Sequence, residues 1–157
     1  MPQPLSFTSK VFNVERLEFG KDSEQVVKGG SVPYTIVRAT QFHQFAEMLL
    51  SALSKPGPVI IDPNWRVQPV AIEDLAEEIA GLAGRPATSA TIEYAGPQVL
   101  TFDDLARSWL AARGRKRPIW RLGIPGKLSR AIRAGALTTG ATPTGSRTWR
   151  DYLAAKY

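Results

Sequence analysis

Cysteine is absent from this 157-residue chain, and histidine occurs once, as His43. The first absence excludes disulfides, thiolate zinc sites and a cysteine nucleophile, and it suits a reducing compartment, so a cytoplasmic location is expected. The second leaves any metal site all-oxygen or single-imidazole, and no metal is expected. No apolar run is long enough to span a bilayer. Met1-Pro2-Gln3-Pro4-Leu5-Ser6 lacks the charged, apolar and small-residue succession of a secretory signal, so no membrane partner is expected either. A glycine-rich loop between a strand and a helix is also missing. Gly29-Gly30 precedes a strand, Gly81 and Gly84 end a helix, and Gly123 and Gly126 flank Pro125, so all three pairs read as caps or turns rather than a phosphate cradle.

What is present suffices for one core: hydrophobic residues make up 43% of the chain, with a formal net charge of +6. Residues 34–39, Tyr-Thr-Ile-Val-Arg-Ala, form a short β-branched-rich run opened by Pro33, the pattern of a buried parallel strand. A helix follows, with Phe42, Phe45, Ala46, Leu49, Leu50 and Leu53 on one apolar stripe. Lys55-Pro56-Gly57-Pro58 breaks the chain before a brief strand at Val59-Ile60-Ile61. Ile72, Leu75, Ala76, Ile79, Leu82 and Ala83 outline a second amphipathic helix, stopped by Gly84 and Pro86. Residues 91–94 read as a strand. Thr101 with Asp104 resembles a capping box opening a helix that carries Phe102, Leu105, Ala106 and Trp109 inward. Helices are further expected over about 127–136 and around Trp149, Tyr152 and Leu153, after a loose 138–146 linker. Residues 1–30 read as a polar lead-in with a partial helix at 23–28, and 31–157 as the domain proper.

Several of these segments carry a resemblance. Pro33-Tyr34-Thr35-Ile36-Val37-Arg38-Ala39-Thr40-Gln41-Phe42, Val67-Gln68-Pro69-Val70 with Ile72-Glu73-Asp74-Leu75-Ala76, Gly96-Pro97-Gln98-Val99-Leu100-Thr101, and Arg117-Pro118-Ile119-Trp120-Arg121 resemble successive segments of NmrA-like atypical short-chain dehydrogenase/reductases. The resemblance runs from about Arg16 to Tyr157. In that family the first motif sits near the middle of a much longer chain. The likeness therefore implies an α/β fold: the C-terminal portion of a Rossmann-type parallel sheet with a small α+β substrate-side subdomain, the N-terminal glycine-rich nucleotide-binding half being absent. It implies NAD or NADP as family cofactor, and a role in NAD(P)-dependent reduction of a small molecule or in redox sensing. It also implies that this chain alone binds neither nucleotide well. The Tyr four residues before Lys of many such enzymes has no counterpart where the family places it: near Lys21, the residue four before is Leu17. No catalytic residue is assigned.

The best candidate site is the turn Thr40, Gln41, Phe42 and His43, which leaves the carboxyl end of the 34–39 strand. By resemblance it borders the nicotinamide end of the cofactor. The bland alternative has Thr40 capping the helix, Phe42 joining the core, and Gln41 and His43 in solvent. A second feature is charge. Residues 107–150 hold Lys or Arg at eleven positions and no Asp or Glu, densest at Arg113-Gly114-Arg115-Lys116-Arg117. This stretch is read first as a complement to the carboxyl end of the Thr101 helix, and only second, with Trp120, as a nucleic-acid footprint over 113–121. Glu73, Asp74, Glu77 and Glu78 are read as an exposed helix face. Expected partners are a second copy of the chain or the missing N-terminal half, and a protein-interaction or homodimerisation module is the alternative function.

Overall fold

The computed structural model describes residues 23–55 and 57–157. The expectations for Leu17, Lys21 and the rest of 1–22 lie outside those residues. A helical segment at 23–28 leads into β1 (Thr35–Ala39), held to it by a two-pronged ion pair in which Arg38 Nε and Nη2 each donate to Glu24 at 2.7 Å. Then follow α1 (His43–Leu53), β2 (Val59–Ile61), β3 (Arg66–Val67), α2 (Ile72–Ala83), β4 (Ala90–Tyr94), β5 (Leu100–Thr101), α3 (Phe102–Ala112), β6 (Ile119–Arg121), α4 (Lys127–Arg133) and α5 (Trp149–Lys156). The order is α/β, as expected from the alternation of short β-branched runs with 3.6-period stripes.

Among the described residues the strands form three two-stranded ladders. β1 pairs in parallel with β4, Thr35 opposite Ala90 and Ala39 opposite Tyr94; β2 pairs in parallel with β6; β3 and β5 pair antiparallel. Both parallel pairs need crossovers, which α1, α2 and α3 supply. The β5 strand was not anticipated. Two residues followed directly by a capping box read as helix entry alone.

The core lies around β2. Ala46, Leu49 and Leu50 of α1, Val59 and Ile61 of β2, Leu105, Ala106 and Trp109 of α3, and Trp149 and Leu153 of α5 bury against one another. This is the inward face expected for α1 and α3. The α2 stripe behaves differently: Ile72 and Ile79 are 43% and 49% exposed, although their spacing is that of a core face. The β1/β4 pair is likewise only half-buried over Ile36, Val37 and Ile92.

Helix starts divide by chemistry. The side chains of Thr101 and Asp104 form a reciprocal capping box at α3, and Thr148 and Asp151 form a second at α5. In contrast, α1 and α2 begin at Phe42 and Ala71 with no side-chain cap. At α1 the first amide is taken by a neighbouring segment instead, His43 N donating to Val70 O.

Candidate functional site

The turn after β1 is a junction of three segments. Thr40 N donates to Tyr94 O at 3.0 Å, and Thr40 Oγ1 accepts from Gly96 N at 3.1 Å. Val70 N donates to Gln41 O at 2.9 Å, His43 N donates to Val70 O at 3.2 Å, and Phe42 makes a parallel bridge with Val70. Because β1 and β4 run parallel, their carboxyl ends meet at this turn, where open α/β sheets place ligands. Gly96 is demanded by the approach: a Cβ there would stand 1.9 Å from Pro69 O.

The four residues separate on inspection. Thr40 does not cap α1; its hydroxyl fastens the β4 exit. Gln41 and Phe42 are half-buried at the rim. His43 is not in solvent. It is 1% exposed, with ring centroids 5.9 Å from Trp149 and 5.3 Å from Tyr152, and its Nε2 has no hydrogen-bond partner. Burial holds its pKa below the ordinary value, against the opposing pull of Asp74, Glu73 and Asp151. A neutral imidazole walled in by rings contributes packing to this turn.

Asp74 corrects a second expectation. It is buried rather than on an exposed face, and it accepts from Ser146 N at 2.6 Å, from Arg147 N at 2.8 Å and from the Arg147 guanidinium. Burial would raise its pKa, but these donors outweigh that and hold it below the usual carboxylate range. Arg147 also reaches Glu77 at 2.8 Å, so one carboxylate-guanidinium cluster ties α2 to the segment before α5.

Two further buried carboxylates were not singled out from the sequence. Asp62, at the carboxyl end of β2, accepts from Asn64 N and Ile124 N at 3.0 Å each and from Arg133 Nε at 3.0 Å. Glu47 accepts from Lys156 Nζ at 2.5 Å, from Trp109 Nε1 at 3.3 Å, and from the hydroxyls of Tyr152 and Tyr157. Burial opposes its charge, yet the donors from Lys156, Tyr152, Tyr157 and Trp109 bring its pKa down to about 2. The visible signal was a lone carboxylate inside the apolar α1 stripe. Tyr152 and Lys156 stand four apart, with Nζ 3.1 Å from the hydroxyl, which is the spacing sought near Lys21. Chemically they differ from a proton-donating pair: burial, then the Glu47 carboxylate, raise the Tyr152 pKa, whereas a general acid needs it lowered. The pair latches α5 to α1.

Within the basic stretch Arg117 departs from its first reading. The guanidinium of Arg117 donates to Ser54 O at 2.9 Å and Gly57 O at 3.2 Å, closing the carboxyl end of α1 rather than of α3. Trp120 is 53% exposed on β6. A groove of about 840 Å³ lies apart from the turn, between the first turns of α3 and α5, but its carboxylates Asp104 and Asp151 are spent in the capping boxes. Among the described residues there is no cluster of His, Asp and Glu set to hold a metal, and no helix is long and apolar enough to cross a membrane.

No family model and no curated protein matches the sequence. Solved structures do match. The triphenylmethane reductase of Citrobacter sp. complexed with NADP(H) is 17% identical, with a TM-score of 0.68 over 92% of this chain and 60% of that one. A nucleoside-diphosphate-sugar epimerase from Staphylococcus aureus is 15% identical, with a TM-score of 0.61 over 86% of this chain and 56% of the other. UDP-glucuronic acid 4-epimerase from Bacillus cereus, solved with NAD, reaches 0.57 at 15% identity over 91% and 50%. The chain has a partial Rossmann-like fold. It spans only about half to three-fifths of the length of these proteins. The likeness to these structures is one of fold, and the parallel β1/β4 pair with the turn at its carboxyl end belongs to it.

Proposed function

We propose that this chain is the substrate-side portion of an NAD(P)-binding protein, with the turn Thr40, Gln41, Phe42 and His43 facing the nicotinamide end of the cofactor. The role is NAD(P)-dependent reduction of a small molecule or redox sensing, in the cytoplasm, to which a cysteine-free chain is suited. The observation that carries this reading is the junction itself: parallel β1 and β4 end together there, and Gly96, Val70 and Thr40 hold the turn rigidly. No strand-loop-helix in the sequence offers a glycine-rich cradle, so firm cofactor binding calls for a second polypeptide segment. His43 and Thr40 position the turn, and Gln41 and Phe42 are the rim residues that a nicotinamide would meet.

Amide chemical shifts on titration with reduced nicotinamide mononucleotide, and calorimetry with NADPH, test this. The expected result is weak, roughly millimolar binding of the mononucleotide with shifts at 40–43 and 94–97, and no tight binding of the dinucleotide. Absence of shifts at 40–43 would overturn the site. A dissociation constant for NADPH at the roughly micromolar level usual for enzyme ligands would overturn the need for a second segment.

A second reading, an interaction or homodimerisation module, is favoured by the open α2 face with Ile72 and Ile79 and by the half-exposed β1/β4 pair.

A further inference from the structure

The eleven basic residues of 107–150 are not equivalent once folded. Arg107 and Arg121 share Asp103 at 2.7 Å each, Arg133 is on Asp62, and Arg147 bridges Asp74 and Glu77. Among the described residues no carboxylate is within ion-pair distance of Arg113, Arg115, Lys116 or Arg117. These four lie on one turn. α3 ends with Gly114 at φ +59°, Gly114 N donating to Ala111 O at 3.0 Å and Arg115 N to Leu110 O at 2.9 Å, which fixes the chain direction of the whole run.

Two of the three guanidiniums are immobilised without being neutralised. Arg113 lies 4.6 Å over the Trp109 ring and 5.6 Å from the Tyr157 ring, and Arg117 spends Nη1 on the Ser54 and Gly57 carbonyls. Between them opens a cleft of about 340 Å³, to which Ser51, Ser54 and Arg115 also contribute. Charge decides what it can take. Arg113, Arg115 and Arg117 line the cleft beside Lys55, and the carboxyl ends of α1 and α3 each offset roughly half a charge, leaving about +2 from the three arginines. Pre-held arginines pay little ordering entropy on binding, and their planar forks suit phosphate oxygens.

We propose that this cleft binds a small ligand bearing a diphosphate group. It stands at the carboxyl end of α1, the turn 40–43 at the other end, separated by the helix length of roughly 16 Å for eleven residues. The two sites are therefore distinct, and either can fail alone.

Calorimetric titration of inorganic pyrophosphate and of ADP into the chain, at low salt and near 0.2 M, gives the test. Pyrophosphate should bind with a dissociation constant below about 1 mM at low salt and weaken several-fold at the higher salt as screening grows. Binding of ADP as well identifies a nucleotide source, and binding of pyrophosphate alone a free diphosphate. Arg115 lines the cleft and its side chain makes no hydrogen bond or ion pair among the described residues, so R115Q should keep its melting temperature and lose several-fold in affinity. Absence of pyrophosphate binding at low salt, unchanged affinity in R115Q, or binding of duplex DNA without binding of pyrophosphate would overturn the assignment.

Discussion

Burying Glu47, Asp62 and Asp74 would by itself drive each carboxyl group toward its neutral form, yet all three stay ionised because three or more donors converge on each. His43 has the opposite fate, with no partner at Nε2 and a depressed pKa. The two cases act in different pH windows. Between about 6.5 and its lowered folded value His43 takes a proton only in the unfolded chain, so stability falls as pH drops below about 6.5. Glu47, depressed from an ordinary 4.5 to about 2, contributes stability that is full above about 4.5 and lost as pH falls toward 2. Thermal melts from pH 7 to 3 should show both limbs. His43→Phe, which retains a ring against Trp149 and Tyr152, should flatten the upper limb. Glu47→Gln should lower stability at neutral pH by roughly 2–3 kcal/mol and shrink the lower limb, leaving the share that Asp62 and Asp74 contribute. Wild-type and variant curves running parallel would refute the assignment of these windows.

Elements are joined here by single close contacts more than by broad faces, and glycine shows where. At Gly96 the β4 exit passes Pro69 so closely that a Cβ would stand 1.9 Å from its carbonyl oxygen, and both partners are backbone. At Gly81, inside α2, a Cβ would meet nothing within 4 Å. Chemical denaturation should therefore give opposite signs for one kind of change. Gly96→Ala should cost more than about 3 kcal/mol, as strain at an over-determined position does, while Gly81→Ala should add about 0.5–1 kcal/mol by restricting the unfolded chain. A neutral Gly96→Ala would mean that the 40–43 junction yields, and with it the rigid turn. The uncapped start of α1 belongs to the same scheme: Val70 O receives the His43 amide, so α1 is anchored by the segment that the Gly96 approach holds in place.

On the scale of the molecule, cover is uneven. The core around β2 is closed by α1, α3 and α5, whereas parallel β1 and β4 and the apolar α2 face stay half-open, although parallel strands are ordinarily covered on both sides. An edge strand beside exposed apolar surface templates association. The chain is accordingly expected to self-associate, as a homodimer or a soluble higher assembly, despite its net charge of +6. Static light scattering over a dilution series checks this: mass should fall toward the monomer only on dilution. A monomer at high concentration that unfolds cooperatively would show that the open face is already covered within the chain.

Sequence periodicity determined most elements, because burial of a stripe or a short β-branched run depends on local spacing. The β1 strand, the α1 and α3 core faces, the Thr101/Asp104 box and the turn after β1 were legible in this way. The likeness of fold to part of larger Rossmann-like proteins was legible too, from motifs at Pro33–Phe42 and Gly96–Thr101. The fate of the polar residues was not. Asp74 reads as exposed and is buried, His43 reads as rim or solvent and is walled in by Trp149 and Tyr152, and Arg117 closes a helix 60 residues away. Partners such as Glu47 with Lys156 or Asp62 with Arg133 are joined only by the path of the chain. Which charges are spent in pairs and which remain free is a three-dimensional outcome, since it depends on distances that no spacing along the sequence encodes.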